Sequence, residues 1–79
     1  MPRKVSWTVL ATYDGFDATM DRRLNSAVGK LCDSSGCGFG KRDLEWDFHM
    51  RQTAQDAIER IRAAKIRGVK IQLISDSGD

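Results

Sequence analysis

Leu44-Glu45-Trp46-Asp47-Phe48-His49-Met50 alternates large apolar with polar side chains, and the stretch that follows it, Arg51 to Gly68, does not. Alternation is the two-residue repeat of a strand with one buried face. Past Met50 the apolar positions are Ala54, Ala57, Ile58, Ile61 and Ala64, spaced as one stripe of a helix. Thr53 with Asp56 three residues on resembles a capping box at its start, and Gly68 supplies a left-handed stop. Val69, Ile71 and Leu73 against Lys70, Gln72 and Ile74 then restore the two-residue repeat. The C-terminal half thus reads strand, helix, strand, followed by a Ser75–Asp79 tail expected to fray.

The N-terminal half repeats the order. Val5, Trp7, Val9 and Ala11 alternate with Ser6, Thr8, Leu10 and Thr12, and Asp14-Gly15 breaks the strand. Asp14 or Asp17 can cap the helix that follows, whose stripe is Met20, Leu24, Ala27, Val28 and Leu31, giving an end near Cys32. Gly29 lies off that stripe and, as an interior residue, costs about 1 kcal/mol against Ala. Gly36, Gly38 and Gly40 alternate with Cys37 and Phe39 in a weak second strand, with Phe39 expected to pack inward and a turn over Gly40-Lys41-Arg42-Asp43.

The resulting order βαββαβ, with short right-handed connections, is that of the ferredoxin-like or split-βαβ fold. It places the first and third strands at the centre of a four-stranded antiparallel sheet with both helices on one face. That scaffold serves many unrelated functions, so activity has to be read from sites.

The bulk properties exclude more than they assign. Seventy-nine residues suffice for one small α+β domain. The mix of 41% hydrophobic and 30% charged residues is that of a folded globule. A net charge of +2 lacks the basic excess of most nucleic-acid modules. No signal-like leader or long apolar run is seen, so a cytoplasmic location without membrane contact is the expectation. Cys32 and Cys37, with no further Cys or His pair, do not make a zinc site and are expected as free thiols. No cofactor is implied.

With Val5, Trp7, Val9, Leu44, Trp46, Phe48, Ile71 and Leu73 turned toward the helices, parity assigns the other sheet face. It carries Lys70, Gln72 and Ile74, then Ser6, Thr8, Leu10 and Thr12, then Asp43, Glu45, Asp47 and His49, then the backbone of Gly36, Gly38 and Gly40. Leu10 and Ile74 are apolar where a solvated face would be polar, which marks a contact surface for a protein partner or a second copy. Glu45, Asp47 and His49 share a face but lie about 6.5 Å apart per step, too far for one metal ion.

Gly36-Cys37-Gly38-Phe39-Gly40-Lys41-Arg42 resembles the glycine-and-aromatic strand of RNA-recognition motifs, although that signature belongs to the third strand, which here presents acids. Arg60 and Arg67 are expected on the outward face of the second helix, with Arg62 on its flank. Arg51, Lys41 and Arg42 extend a basic surface able to meet phosphates. On the bland account Asp56 pairs with Arg60, and Glu59 with Arg62, simply to solvate the helix. Pro2, before the first strand, resembles the catalytic proline of tautomerases. With His49 it is the only enzymatic suggestion. The favoured expectation is a non-enzymatic interaction module, an adaptor or a small inhibitor of the kind phages and mobile elements encode. The basic-helix nucleic-acid binder is the alternative.

Overall fold

A computed structural model describes residues 6–76. Its elements are β1 (Ser6–Asp14), α1 (Ala18–Val28), β2 (Ser34–Gly38), β3 (Lys41–Phe48), α2 (Arg51–Ala63) and β4 (Val69–Asp76). The strands form one antiparallel sheet in the order β2-β3-β1-β4, with β1 and β3 central as the sequence predicts. This is the ferredoxin-like arrangement. Val5 and Pro2 lie outside the described residues, as do residues 77–79 of the expected tail, while Ser75 and Asp76 continue β4.

The core follows the parity of β1 and β3. Val9, Ala11 and Tyr13 from β1 and Leu44 and Trp46 from β3 are buried against Leu24 and Val28 of α1 and Ala54, Ala57, Ile58 and Ile61 of α2. Trp7, Phe48, Ile71 and Leu73 share that side of the sheet but are only half-buried. The core therefore thins toward the β4 edge and toward the end where Trp7 faces Phe48. Each registered pair adds a cross-strand contact worth a few tenths of a kcal/mol to about 1 kcal/mol.

Several local expectations are corrected. α1 ends at Val28, not near Cys32, because Gly29 takes the left-handed conformation (φ 94°) and its N–H bonds to the Asn25 carbonyl. The glycine without a local reason is the C-cap of the helix. Leu31, placed on the stripe by spacing, lies beyond that cap and is exposed. Asp17, rather than Asp14, is the N-cap and accepts from the Thr19 N–H at 2.9 Å. α2 starts at Arg51 with Met50 as its N-cap and no side-chain cap bond, so Thr53 and Asp56 form no capping box. Its last turn closes at Ala64, and Lys65 (φ 53°) turns left-handed before Gly68 does.

The β2–β3 turn is centred on Phe39-Gly40, two positions earlier than the turn expected over 40–43, with both φ values positive (54° and 75°) as in a type I′ hairpin. β3 ends at Phe48, so His49 and Met50 lie past the strand.

The C-cap assignment reverses the sign of one substitution. An interior glycine replaced by alanine would stabilise α1 by about 1 kcal/mol, whereas at a left-handed cap Gly29→Ala is expected to destabilise by about 1 kcal/mol. Urea denaturation of the two proteins decides between them.

Candidate functional site

Two side-chain networks fix the parts of the surface that carry exposed apolar groups. At one end of the sheet the Tyr13 hydroxyl, buried under the start of α1, donates its proton to Asp21 Oδ1, has the Asp17 carbonyl 2.9 Å away, and accepts from the Asp17 N–H at 3.1 Å. Arg42, directly across from Tyr13, donates Nη2 to Asp21 Oδ2 at 2.9 Å and Nε to the same oxygen at 3.2 Å. Both charged side chains are mostly buried, which makes this pair worth more than an exposed one.

Burial, helped by the bond to Asp21, pushes the Tyr13 phenol up from its usual range. The Asp21 carboxylate likewise pushes the Arg42 guanidinium up, with a further contribution from Cys37 at 3.3 Å from Nη1. Arg42 also lies over the Phe16 ring, 4.9 Å from its centre.

At the other end of α1 the indole N–H of fully buried Trp46 donates to Asn25 Oδ1 (3.2 Å) and to the Lys30 carbonyl (3.1 Å). Asn25 Oδ1 also accepts from the Cys32 N–H at 2.9 Å. Lys30 Nζ reaches the Asp47 carbonyl at 2.6 Å and stands over the Phe48 ring. The Asp33 carboxylate is held below its ordinary range by the Asp47 N–H, which donates to it at 2.7 Å, with Lys30 beside it. These contacts tie the segment entering β2 to β3.

The end held by Tyr13 and Arg42 presents two exposed aromatic rings. Phe39 is fully exposed and Phe16 is 63% exposed. A 2.6 Å bond from the Gly15 N–H to the Gly40 carbonyl joins the two turns that carry them. Lys41 stands at the same tip, its ammonium 3.9 Å from Asp14. Phe39, expected inward, points outward because the turn lies at 39–40 and a residue at its first central position cannot fold back over the sheet. Phe is also an uncommon occupant of that position, where glycine, asparagine and aspartate dominate.

The open sheet face is as parity assigns it, up to His49. Leu10 is half-buried between Gln72 and Glu45, and Ile74, 42% exposed, stands opposite Thr8, so the two apolar residues are diagonal neighbours. Thr12 lies between Lys70 and Asp43. Thr8 donates to Asp47 and Ser34 to Glu45, each at 2.8 Å, which engages two of the three acids of β3 with neighbouring hydroxyls. His49, beyond the strand end, does not join Glu45 and Asp47 on one face. Gly36 and Gly38 lie on β2, whose residues are all exposed and which no helix covers; Gly40 is in the turn.

The structure disperses the expected basic surface. Arg42 is committed to Asp21, and Arg60, exposed on α2 as expected, donates one N–H to the Val28 carbonyl at the end of α1. Arg62 pairs with Glu59 at 3.5 Å as spacing suggests, but Asp56 accepts from Gln52 and not from Arg60. Arg51 lies over the Trp7 ring, and Arg67 follows the helix instead of standing on it.

Sequence reading missed Phe16, Phe39 and the Tyr13–Asp21–Arg42 network. The dipeptide Phe39-Gly40 between Gly38 and Lys41 is the available signal for the turn. Nothing in the spacing of Tyr13, Asp21 and Arg42 announces their meeting. No family model, curated protein or solved structure matches the chain.

The raised Tyr13 value has a direct consequence. A phenol whose folded value lies above 10 stabilises fully below the unfolded value and loses that contribution as pH rises through the folded one. Stability is therefore expected to fall from about pH 10 upward, and Tyr13→Phe, less stable at pH 8, should show a shallower decline. Urea midpoints measured from pH 8 to 11 check this.

Proposed function

We propose that the protein is a non-enzymatic interaction module that binds a protein partner through the β2–β3 tip and the adjoining open sheet face. The observation that carries this reading is Phe39, an aromatic side chain wholly in solvent on a left-handed turn residue. Its backbone costs on the order of 1 kcal/mol against glycine or asparagine, and its ring gains nothing from the core. Both costs are offset when the ring enters a pocket on a partner, since aromatic anchors dominate binding energy at interfaces.

The tip suits that role. The Tyr13–Asp21–Arg42 network holds the turns in place, so little ordering is required on contact. Leu10 and Ile74 add an apolar strip on the open face, flanked by Asp43, Glu45 and Asp47. The adaptor and small-inhibitor readings belong to this class.

A nucleic-acid reading keeps one favourable observation: two exposed aromatic rings beside Lys41, a combination on which unpaired bases can stack. The basic side chains it would need on α2 are engaged elsewhere or scattered.

Phe39→Asn separates these ideas from a purely structural role. Asparagine tolerates positive φ, so the variant should unfold at the same urea concentration or a higher one, by up to about 1 kcal/mol. Affinity capture from the source cell, with mass spectrometry and nucleic-acid sequencing, should lose the wild-type partner at least roughly tenfold, the loss of an anchor worth about 1.4 kcal/mol or more. Unchanged capture by Phe39→Asn would sink the tip as the binding site. Captured nucleic acid whose retention falls steeply with salt would favour the second reading.

A further inference from the structure

Between α1 and the end of α2 the helix layer opens into a cleft of about 440 Å³. Ala27 and Ile66, half-buried against the core, make an apolar floor with Ala64. The α1 wall is polar. It consists of Arg22 and Arg23 with Thr19 and Ser26, all exposed, so two guanidinium groups and two hydroxyls stand around one apolar depression. Arg60 adds a third cation at the far end, because it precedes Ala64 by one helical turn and its Nη1 reaches the Val28 carbonyl just past Ala27.

The two arginines of α1 lack the partners that usually accompany surface cations. Neither has an acid three or four residues away along the helix. Among the described residues neither makes an ion pair, and no carboxylate lines the cleft. Asp21, next to them in sequence, is turned to the other flank of α1 and held by Tyr13 and Arg42. Arg62, by contrast, pairs with Glu59 on its own helix. Neighbouring unpaired cations repel each other, and an anion placed between them removes that cost.

We propose that this cleft binds a small organic phosphate, a monoester whose phosphate is gripped by Arg22 and Arg23 and whose aromatic or aliphatic part rests on Ala27, Ala64 and Ile66. A phosphate monoester carries close to two negative charges at neutral pH and a carboxylate only one, so the monoester matches the pair. Guanidinium forks bond its oxygens two at a time, and the Thr19 and Ser26 hydroxyls can donate to the rest. The volume falls in the range of small-molecule sites. An aromatic phosphate of roughly ten non-hydrogen atoms should bind with a Kd of about millimolar order.

Titration of the isotope-labelled protein with phenyl phosphate at fixed ionic strength, followed by amide chemical shifts, tests this, with inorganic phosphate and benzoate as comparisons. Phenyl phosphate should give saturable shifts confined to residues 19–27 and 64–66. It should bind roughly fivefold or more tightly than either comparison, since inorganic phosphate lacks the apolar part and benzoate the second charge. Arg22→Gln combined with Arg23→Gln should weaken it at least roughly tenfold with an unchanged urea midpoint, both side chains being exposed. Arg62→Gln, on the other flank of α2, should leave it unchanged. Shifts spread over the basic residues at large and indifferent to the double variant mean an adventitious ion only and overturn the proposal. Equal affinity for all three probes, or no saturation at roughly ten times the millimolar Kd expected here, overturns it as well. The cleft shares no residue with the tip, and Phe39→Asn should leave the titration unchanged.

Discussion

Trp46 imposes the constraint around which the structure is arranged. It is the largest fully buried side chain, and its indole brings one N–H into the core that must find an acceptor there. Asn25 and the Lys30 carbonyl provide it. To do so, α1 must stop soon after Asn25 and the chain must turn back across the end of β3, which is what the left-handed Gly29 permits. Asn25 Oδ1 then fixes Cys32 as well, and Asp33 fastens the start of β2 to β3. One buried hydrogen-bond donor thereby sets where the first helix ends and where the second strand begins.

The opposite end of α1 uses a charged solution to a similar problem. Tyr13 extends the buried row of β1 beyond Ala11, and its hydroxyl meets the first turn of the helix, where free backbone N–H groups are available. Asp21 accepts from both Tyr13 and Arg42, so α1, β1 and β3 share one carboxylate. The burial of that cluster explains why Arg42, which charge counting assigns to a basic surface, is unavailable to phosphates. It also places Phe16 over a cation on one side and leaves its other side to solvent.

The architecture was legible because the two-residue and helical repeats are clean where the core is deepest. Val9, Leu44, Trp46, Ala57 and Ile61 sit where periodicity puts them. Legibility failed where one residue could serve two roles. Leu31 continues the helical spacing past Gly29, so spacing alone extends the helix, although the carbonyl that Trp46 requires ends it. Gly36, Gly38 and Gly40 repeat at the strand period and conceal which of them belongs to the turn. Arg42 was misplaced for a further reason: it is long enough to reach Asp21 on another element, and strand parity says nothing of such partners. The open face was legible in composition, but the exposed aromatic tip was not.

The bareness of β2 has a kinetic side. Its residues bury nothing, no helix rests on it, and it is held by one ladder to β3 and by the anchors at Asp33 and Arg42. The free energy for opening this strand is therefore only a fraction of that for unfolding the whole domain. The turn carrying Phe39 stays tied to the turn after β1 by the Gly15–Gly40 bond when β2 opens, and the core around Trp46 is left undisturbed. Contact at the tip would be reported locally, as slower opening of one edge strand, well before it altered the global unfolding of the domain.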